Sequence, residues 1–576
     1  MSVAAPDPSS QQAPPAAQTS DGAHPGGAVS VEARSEGANP KPVWVDALPA
    51  ADLRAKGRAL IKREGRQIAL FQTAAGVRAI ANRCPHQGYP LSEGTLAEAG
   101  DGAACTLTCN WHNWKFDLET GAVIGGGDAV RVFPVEERDG TVWVDIADPP
   151  PAARVAKALA GLRDGFRYRQ EDRIARDLAR IEAAGADPRV AVRAAIGWTH
   201  DRFQWGMSHA HAALPDWLAL ADAQDDPVDR LACFTEIVAH LVDDSLREDA
   251  YPYAEGTETW DEDAFLAAVE AEEEERAIRL ARGGLAAGGW ARIDRGLCRA
   301  ALAHYQDFGH SAIYVEKTRE AVRRLDTAND RPDGGDGSVA EPLMLLLVRA
   351  LVTARREDLI PEFKAYRPAR DAWTGRGRTA VKPADLCKVS VAKALDRVSA
   401  SSGDPARCYD ALMAAAAWQL LHADPVYATR AAQPVSQNVG RLDFSHAITF
   451  ANAGRRMMGR YPELTADVLL QTACFLGRNA GYVDPAYPAE RWRVEEPKTF
   501  VAQSAAAVID HGNPEFIVSA HLVKMTCAVR EEIEHSPHAH WVPDLTAALN
   551  RFLNEPFKRK LTRRVAHQAR ETVKGE

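Results

Sequence analysis

Two short segments constrain this chain more than any others: Cys84-Pro85-His86 and Cys109-Asn110-Trp111-His112. They read C-x-H, then 22 residues, then C-x-x-H. Two thiolates and two imidazoles in this order suit a [2Fe–2S] cluster in which one iron takes both Cys and the other both His. Exchanging two thiolates for neutral imidazoles makes a cluster easier to reduce, at roughly −150 to +300 mV against about −400 mV for all-Cys plant-type clusters. A Cys2His2 zinc site is the competing reading, because Zn²⁺ accepts both S and N donors. The C-x-H pair and the aromatic second loop argue against it.

The flanks agree with the ligands. Arg83–Gly88 and Leu107–Asp117 each place a ligand pair at a loop tip, with Gly88 and Gly121 supplying permissive backbone. Strand-like runs surround them at Gln67–Gln72, Val77–Asn82, Thr106–Thr108, Val130–Val135 and Thr141–Ile146. On these residues, 42–148 resembles a Rieske [2Fe–2S] domain. The resemblance implies a small all-β fold with Cys84, His86, Cys109 and His112 as cluster ligands. The 22-residue gap exceeds the family's usual spacing, and residues 97–104 are expected to form a surface insertion. High-potential members of that family carry an extra Cys in each ligand loop and a Ser two residues after the second His. Here Tyr89, Trp111 and Trp114 stand in those regions. With fewer donors to the sulfurs the reduced cluster is stabilised less, which implies the low-potential, ferredoxin or oxygenase type. Cys105, four residues before Cys109, reads as a structural thiol.

The 576 residues allow two to four domains. A net charge of −10 disfavours nucleic-acid binding. No apolar run reaches the roughly 20 residues needed to span a bilayer. Nine Cys without a disulfide framework agree with a reducing compartment, so a cytoplasmic protein without membrane contact is expected.

Residues 1–40 are poor in large apolar side chains and are expected to be a disordered tail. Pro149-Pro150-Pro151 ends the β module, and 149–190 reads as a helical linker. From 191 to 560 apolar residues recur at three and four, as in Leu343, Leu346, Leu347 and Leu351, which predicts one all-α domain and the candidate catalytic one. Gly288-Gly289 is a break within it. Residues 561–576 read as a basic tail. The fold class is therefore multidomain: a small all-β domain followed by a large all-α domain.

A Rieske oxygenase resembling its family would carry Asp-x-x-His followed closely by another His. Asp307-Phe308-Gly309-His310 is the one candidate, and no His follows in residues 311–315. Histidines instead recur at the starts of apolar helical stretches: His209, His310, His446 and His521. The last three motifs resemble the questin oxidase-like family, which implies an all-helical fold and oxidation of aromatic compounds. His310, His446 and His521 are thus candidate catalytic residues. His209 and His211 lie about 200° apart on a helix and cannot share a metal there. Glu236 and His240 share a face, as do Asp307 and His310. A second metal site, non-haem iron, is expected from Glu236, His240, Asp307, His310 and His446, because two His and a carboxylate suit O₂-activating iron. A structural role competes for each single His, and a solvated loop for His535, His538 and His540.

These readings converge on an oxidoreductase. Its cluster takes single electrons from a reductase or ferredoxin, and its helical part oxidises a small organic, aromatic substrate with O₂, as a monooxygenase does. The alternatives are an electron-transfer component with a helical docking domain, and a redox-sensing interaction protein.

Overall fold

The computed structural model describes residues 41–97, 105–125, 127–166, 170–245, 248–326, 338–556 and 562–574. The expected disordered tail 1–40 lies outside them, as does the bulk of the expected insertion, 98–104. That insertion is nonetheless bracketed by paired strands, because Ala97 pairs with Thr106.

Three antiparallel sheets make the N-terminal domain. β1 (Trp44–Pro49) pairs with β10 (Thr141–Asp145), which pairs with β9 (Val135–Arg138). β2 (Arg58–Arg63), β3 (Arg66–Thr73), β4 (Gly76–Ala81) and β8 (Val132–Phe133) form the second sheet. β5 (Thr95–Ala97), β6 (Thr106–Thr108) and β7 (Lys115–Asp117) form the third. Strand alternation sorts side chains into two cores. Ile68, Leu70, Phe133, Val142 and Val144 fill one, while Phe71, Ile80, Leu91, Leu107, Phe116 and Leu118 fill the other, beneath the ligand loops. β1, β2, β5 and β7 are absent from the strand-like runs above, and β9 is touched only at Val135. β5 and β7 are three residues each and, unlike the equally short Thr-Leu-Thr of β6, carry few β-branched residues.

Helices form the remainder. Helices Pro151–Phe166 and Glu171–Ala183 occupy the region expected as a linker. They bury Leu162, Ile174, Leu178 and Ile181 in the core shared with most later helices, so their apolar stripe docks them onto the helical body. Gly288 and Gly289 kink helix Glu274–Leu302 as expected, Gly289 with φ +64°. The C-terminal basic segment contains helix Thr562–Val573, pinned where Arg564 donates to the carbonyls of Tyr427 and Arg430. Among the described residues no helix is long and apolar enough to cross a membrane.

Candidate functional site: a cluster pocket and a histidine tetrad

The two ligand loops close in the same way. Cys84 N–H donates to Tyr89 O and Gly88 N–H to Cys84 O, at 2.8 and 2.7 Å. Cys109 N–H donates to Trp114 O and Asn113 N–H to Cys109 O, at 2.7 and 2.9 Å. The fourth residue after each Cys turns left-handed, Gly88 at φ +77° and Asn113 at φ +60°. Asn tolerates that region better than most residues. Gly121 (φ +75°) lets the following turn press against Val130 O, which a Cβ would meet at 2.1 Å.

The loops face one another. The His86 and His112 rings lie 4.5 Å apart edge to face. Cys84 and Cys109 are buried, with their thiols in hydrogen-bond contact. His86 Nδ1 is buried with no hydrogen-bond partner, as expected of a nitrogen whose partner is a metal. Burial above all pushes the Cys84 thiol up to about 11, so cluster assembly must release this proton. Trp114 stacks on His86 and Trp111 on His112, at 4.9 and 5.0 Å. The residues present therefore fit a [2Fe–2S] cluster held by Cys84, His86, Cys109 and His112, between aromatic walls that offer no hydroxyl. Cys105 is half-buried and packs against this core.

The pocket abuts the helical body. On helix Glu171–Ala183, Arg176 and Arg180 both donate to the buried Asp128 carboxylate at 3.2 and 2.8 Å. Arg176 also reaches His86 O at 3.5 Å. Cleft residues around Cys84 and His86 thus come from both parts of the chain.

In the helical body four histidines converge, His446 and His521 buried and His209 and His310 half-buried. They stand on helices His209–Asp222, His310–Leu325, Arg441–Arg460 and Phe516–His535, each within the first two turns. Their rings close a square. Centroids are 5.1 Å apart for His209 and His310, 4.6 Å for His310 and His446, 5.1 Å for His446 and His521, and 4.8 Å for His521 and His209. His209, His310 and His446 each bring one ring nitrogen within 4.8 Å of the others. The Nε2 atoms of His209 and His310 are 3.3 Å apart, and those of His446 and His521 3.4 Å. Two nitrogens each about 2.0–2.1 Å from a tetrahedral metal ion lie about 3.4 Å apart. The donor set of His209, His310 and His446 thus fits a metal, and His521 adjoins it through His446.

Backbone carbonyls orient two of the rings. His310 Nδ1 bonds Asp307 O, and His521 Nδ1 bonds Ile517 O, both at 2.6 Å. With Nδ1–H donating, Nε2 presents a lone pair toward the square. Burial lowers all four imidazoles, His310 to about 4, and keeps them neutral. His310 is held on an unusual turn. Asp307, Phe308 and Gly309 are all left-handed, at φ +49°, +48° and +78°. Two non-glycine residues there cost about 1–2 kcal/mol each. The buried Glu357 supports the turn by accepting Phe308 N–H at 3.2 Å. Phe450 and Phe475 would meet a Cβ on Gly309 within 3 Å, so glycine is required there on two counts.

The four helices run parallel. Seven to ten residues beyond each His, Asp216, Glu320 and Glu531 bring carboxylates within 4.8 Å of one another, and Arg456 bridges Glu320 and Glu531. Two layers in the same order on four helices fix one direction. The second layer is a paired network, with Lys317 2.6 Å from Asp216 and Arg324 3.0 Å from Glu320. Between the layers stands Lys524, 1% exposed, its Nζ without a hydrogen-bond partner among the described residues.

Several expected site residues fall elsewhere. Glu236 bonds His511 and Ser519, and His240 pairs with Asp244 and stacks on Phe516, so neither joins the square. They do share a helix face, but that face turns to other partners. The Asp307 carboxylate also stays outside, because the left-handed turn presents its carbonyl to His310 instead. The carboxylate of the expected triad is replaced by imidazoles, His209 and His521. His211 turns back to Ser208, as the helical angle requires. His535, His538 and His540 are exposed. His209 is among the recurring histidines but outside the expected metal set, and Lys524 went unnoticed; the shared signal is a His at the start of each long helix.

The Rieske [2Fe-2S] domain model matches residues 43–135. Over 97 residues the chain is 37% identical to the 4beta-methylsterol monooxygenase of Methylococcus capsulatus, covering 15% of this chain and 25% of that protein. The chain thus spans about a quarter of that relative's length. It is 31% identical to the 3-phenylpropionate/cinnamic acid dioxygenase ferredoxin subunit of Escherichia coli, over 18% of this chain and 95% of that subunit. Among solved structures, the ferredoxin of carbazole 1,9a-dioxygenase from Nocardioides aromaticivorans aligns at 21% identity, over 18% of this chain and 97% of that one, with a TM-score of 0.16. Through residues 43–135, this chain belongs to the Rieske [2Fe-2S] domain family.

Proposed function

We propose that the protein is a Rieske-dependent oxidoreductase in which the N-terminal cluster feeds single electrons to a second metal, iron, held by His209, His310, His446 and His521, where a small organic substrate is oxidised with O₂. The observation that carries the reading is the square of neutral imidazoles on four parallel helices, two of them oriented by carbonyls as metal ligands are. The cluster supplies one electron at a time when bound. Trp114 and Trp111 shield its histidine edges, and Arg176 with Arg180 holds the domain against the helical body. An electron-delivery module joined to a metal-competent site favours a monooxygenase over an electron carrier. A reductase or ferredoxin is the proposed donor, and aromatic compounds are the proposed substrates, in line with the questin oxidase-like resemblance and the name of the ferredoxin relative.

A second reading rests on the same distances. Nε2 atoms 3.3 and 3.4 Å apart also suit two N–H···N hydrogen bonds, and the square would then be structural, in an electron-transfer component. Stopped-flow mixing of the anaerobically reduced full chain with O₂ separates the two. Cluster reoxidation at least tenfold faster in wild type than in His310→Ala/His446→Ala supports the oxidase chemistry. Equal rates would leave only the electron-transfer reading.

A further inference from the structure

We propose that the metallated tetrad takes a small monoanion of the carboxylate class as its additional ligand, ion-paired to Lys524. The inference rests on the reading that the tetrad holds a metal. Its ligands are four neutral imidazoles, so they offset none of the metal's charge. Helices His209–Asp222 and His310–Leu325 begin at tetrad members with no acid in their first turns, so two positive helix ends lie beside it, each equivalent to roughly half a positive charge. Lys524 adds a buried amine one turn below, on the same face of its helix as His521, about 4.5 Å along the axis. Of the acids of the next layer, Glu320 and Glu531 pair with Arg324 and Arg456, while Asp216 bonds Lys317 through one oxygen and keeps the other without a hydrogen-bond partner; no ion pair among the described residues joins any of them to Lys524. Burial lowers Lys524 to about 8, so it is largely an ammonium at neutral pH. A buried positive centre of this kind is costly without a counter-charge. An anion bound between metal and Nζ supplies it, and gives Lys524 its missing hydrogen-bond partner.

The test is calorimetric titration of azide, then formate, into the metal-loaded full chain at pH 7, with total metal measured on the same samples. Wild type should bind azide. Lys524→Met and Lys524→Gln should keep their metal and lose at least tenfold in azide affinity. Both substitutions remove an unpaired buried amine and so favour folding; two variants guard against one failing to fold. Full metal content with equal azide affinity in wild type and variants would overturn the role of Lys524. Full metal content without azide or formate binding would overturn the anion site while leaving the metal reading intact. Wild type without metal beyond the cluster iron would overturn the metal reading and this inference with it.

Discussion

The cluster pocket and the histidine tetrad each gather four ligand-type side chains, but by opposite routes. The pocket takes two ligands from each of two loops, so turns of a few residues set its geometry. The tetrad takes one His from each of four helices, with His209 and His310 separated by 101 residues and His446 and His521 by 75. Its geometry is set by helix packing around a common core. The pocket is shallow, beside an exposed Trp111, and suited to exchanging electrons with a partner. The tetrad lies within the helical body, with His446 and His521 buried and His209 and His310 half-buried, and is suited to chemistry that limits the access of water. The lesson is that a local site can be read from spacing, whereas a long-range site needs the fold.

The largest effect separates the two sites. Cys84→Ala/His86→Ala should abolish the reduced-cluster EPR signal completely and leave the far-UV circular dichroism of the helical body unchanged, because the two parts have separate cores. Loss of helical signal would show that the sites fold as one. Next is the contact between them. Asp128→Ala removes the carboxylate that Arg176 and Arg180 share at the pocket edge, leaving them only Asp172 and Asp177 on their own helix, and should slow O₂-driven cluster reoxidation about tenfold with the EPR spectrum retained; an unchanged rate would mean that this contact does not guide electron delivery.

Two smaller effects lie within the helical body. Burial pushes Glu357 up to about 8, from an ordinary value of 4.5. The folded chain therefore holds a proton that the unfolded chain releases, and stability falls as pH rises from about 4.5 to about 8. Glu357→Gln keeps an acceptor for Phe308 N–H. It should exceed wild type at pH 8 by on the order of 1–3 kcal/mol in urea unfolding, with little difference at pH 4.5. Lys524 has the opposite sign, being lowered from 10.5 to about 8. In chelator-treated protein Lys524→Met should add about 1–2 kcal/mol at pH 7, a gain that shrinks as pH rises toward 10.5. A destabilised variant would show that Lys524 has a partner in the folded chain.

Much of the N-terminal half of the account was legible in residue order. The ligand pairs, their loops and the longer strands follow from spacing and alternation, while β5 and β7 are short and carry few β-branched residues. Asn113 is the less obvious case, a left-handed residue in the place that Gly88 fills in the other loop. In the helical part, periodicity announced helices and the recurring His-led starts, which include all four members of the tetrad, though His209 was left out of the expected metal set. It did not show that Glu236 and His240 face His511 and Phe516, because which helix lies opposite is decided by tertiary packing. Nor could spacing show that a left-handed turn at Asp307 and Phe308 swaps a carboxylate for a carbonyl beside His310.

The central claim, that the tetrad is a second metal centre, is tested most directly by a total metal analysis of anaerobically purified wild type, Cys84→Ala/His86→Ala and His310→Ala/His446→Ala. The account predicts metal in excess of the two cluster irons in wild type, an excess that survives loss of the cluster and disappears with the tetrad. Two irons and no further metal in wild type, unchanged by the tetrad substitutions, would contradict it and leave the imidazoles as paired structural groups.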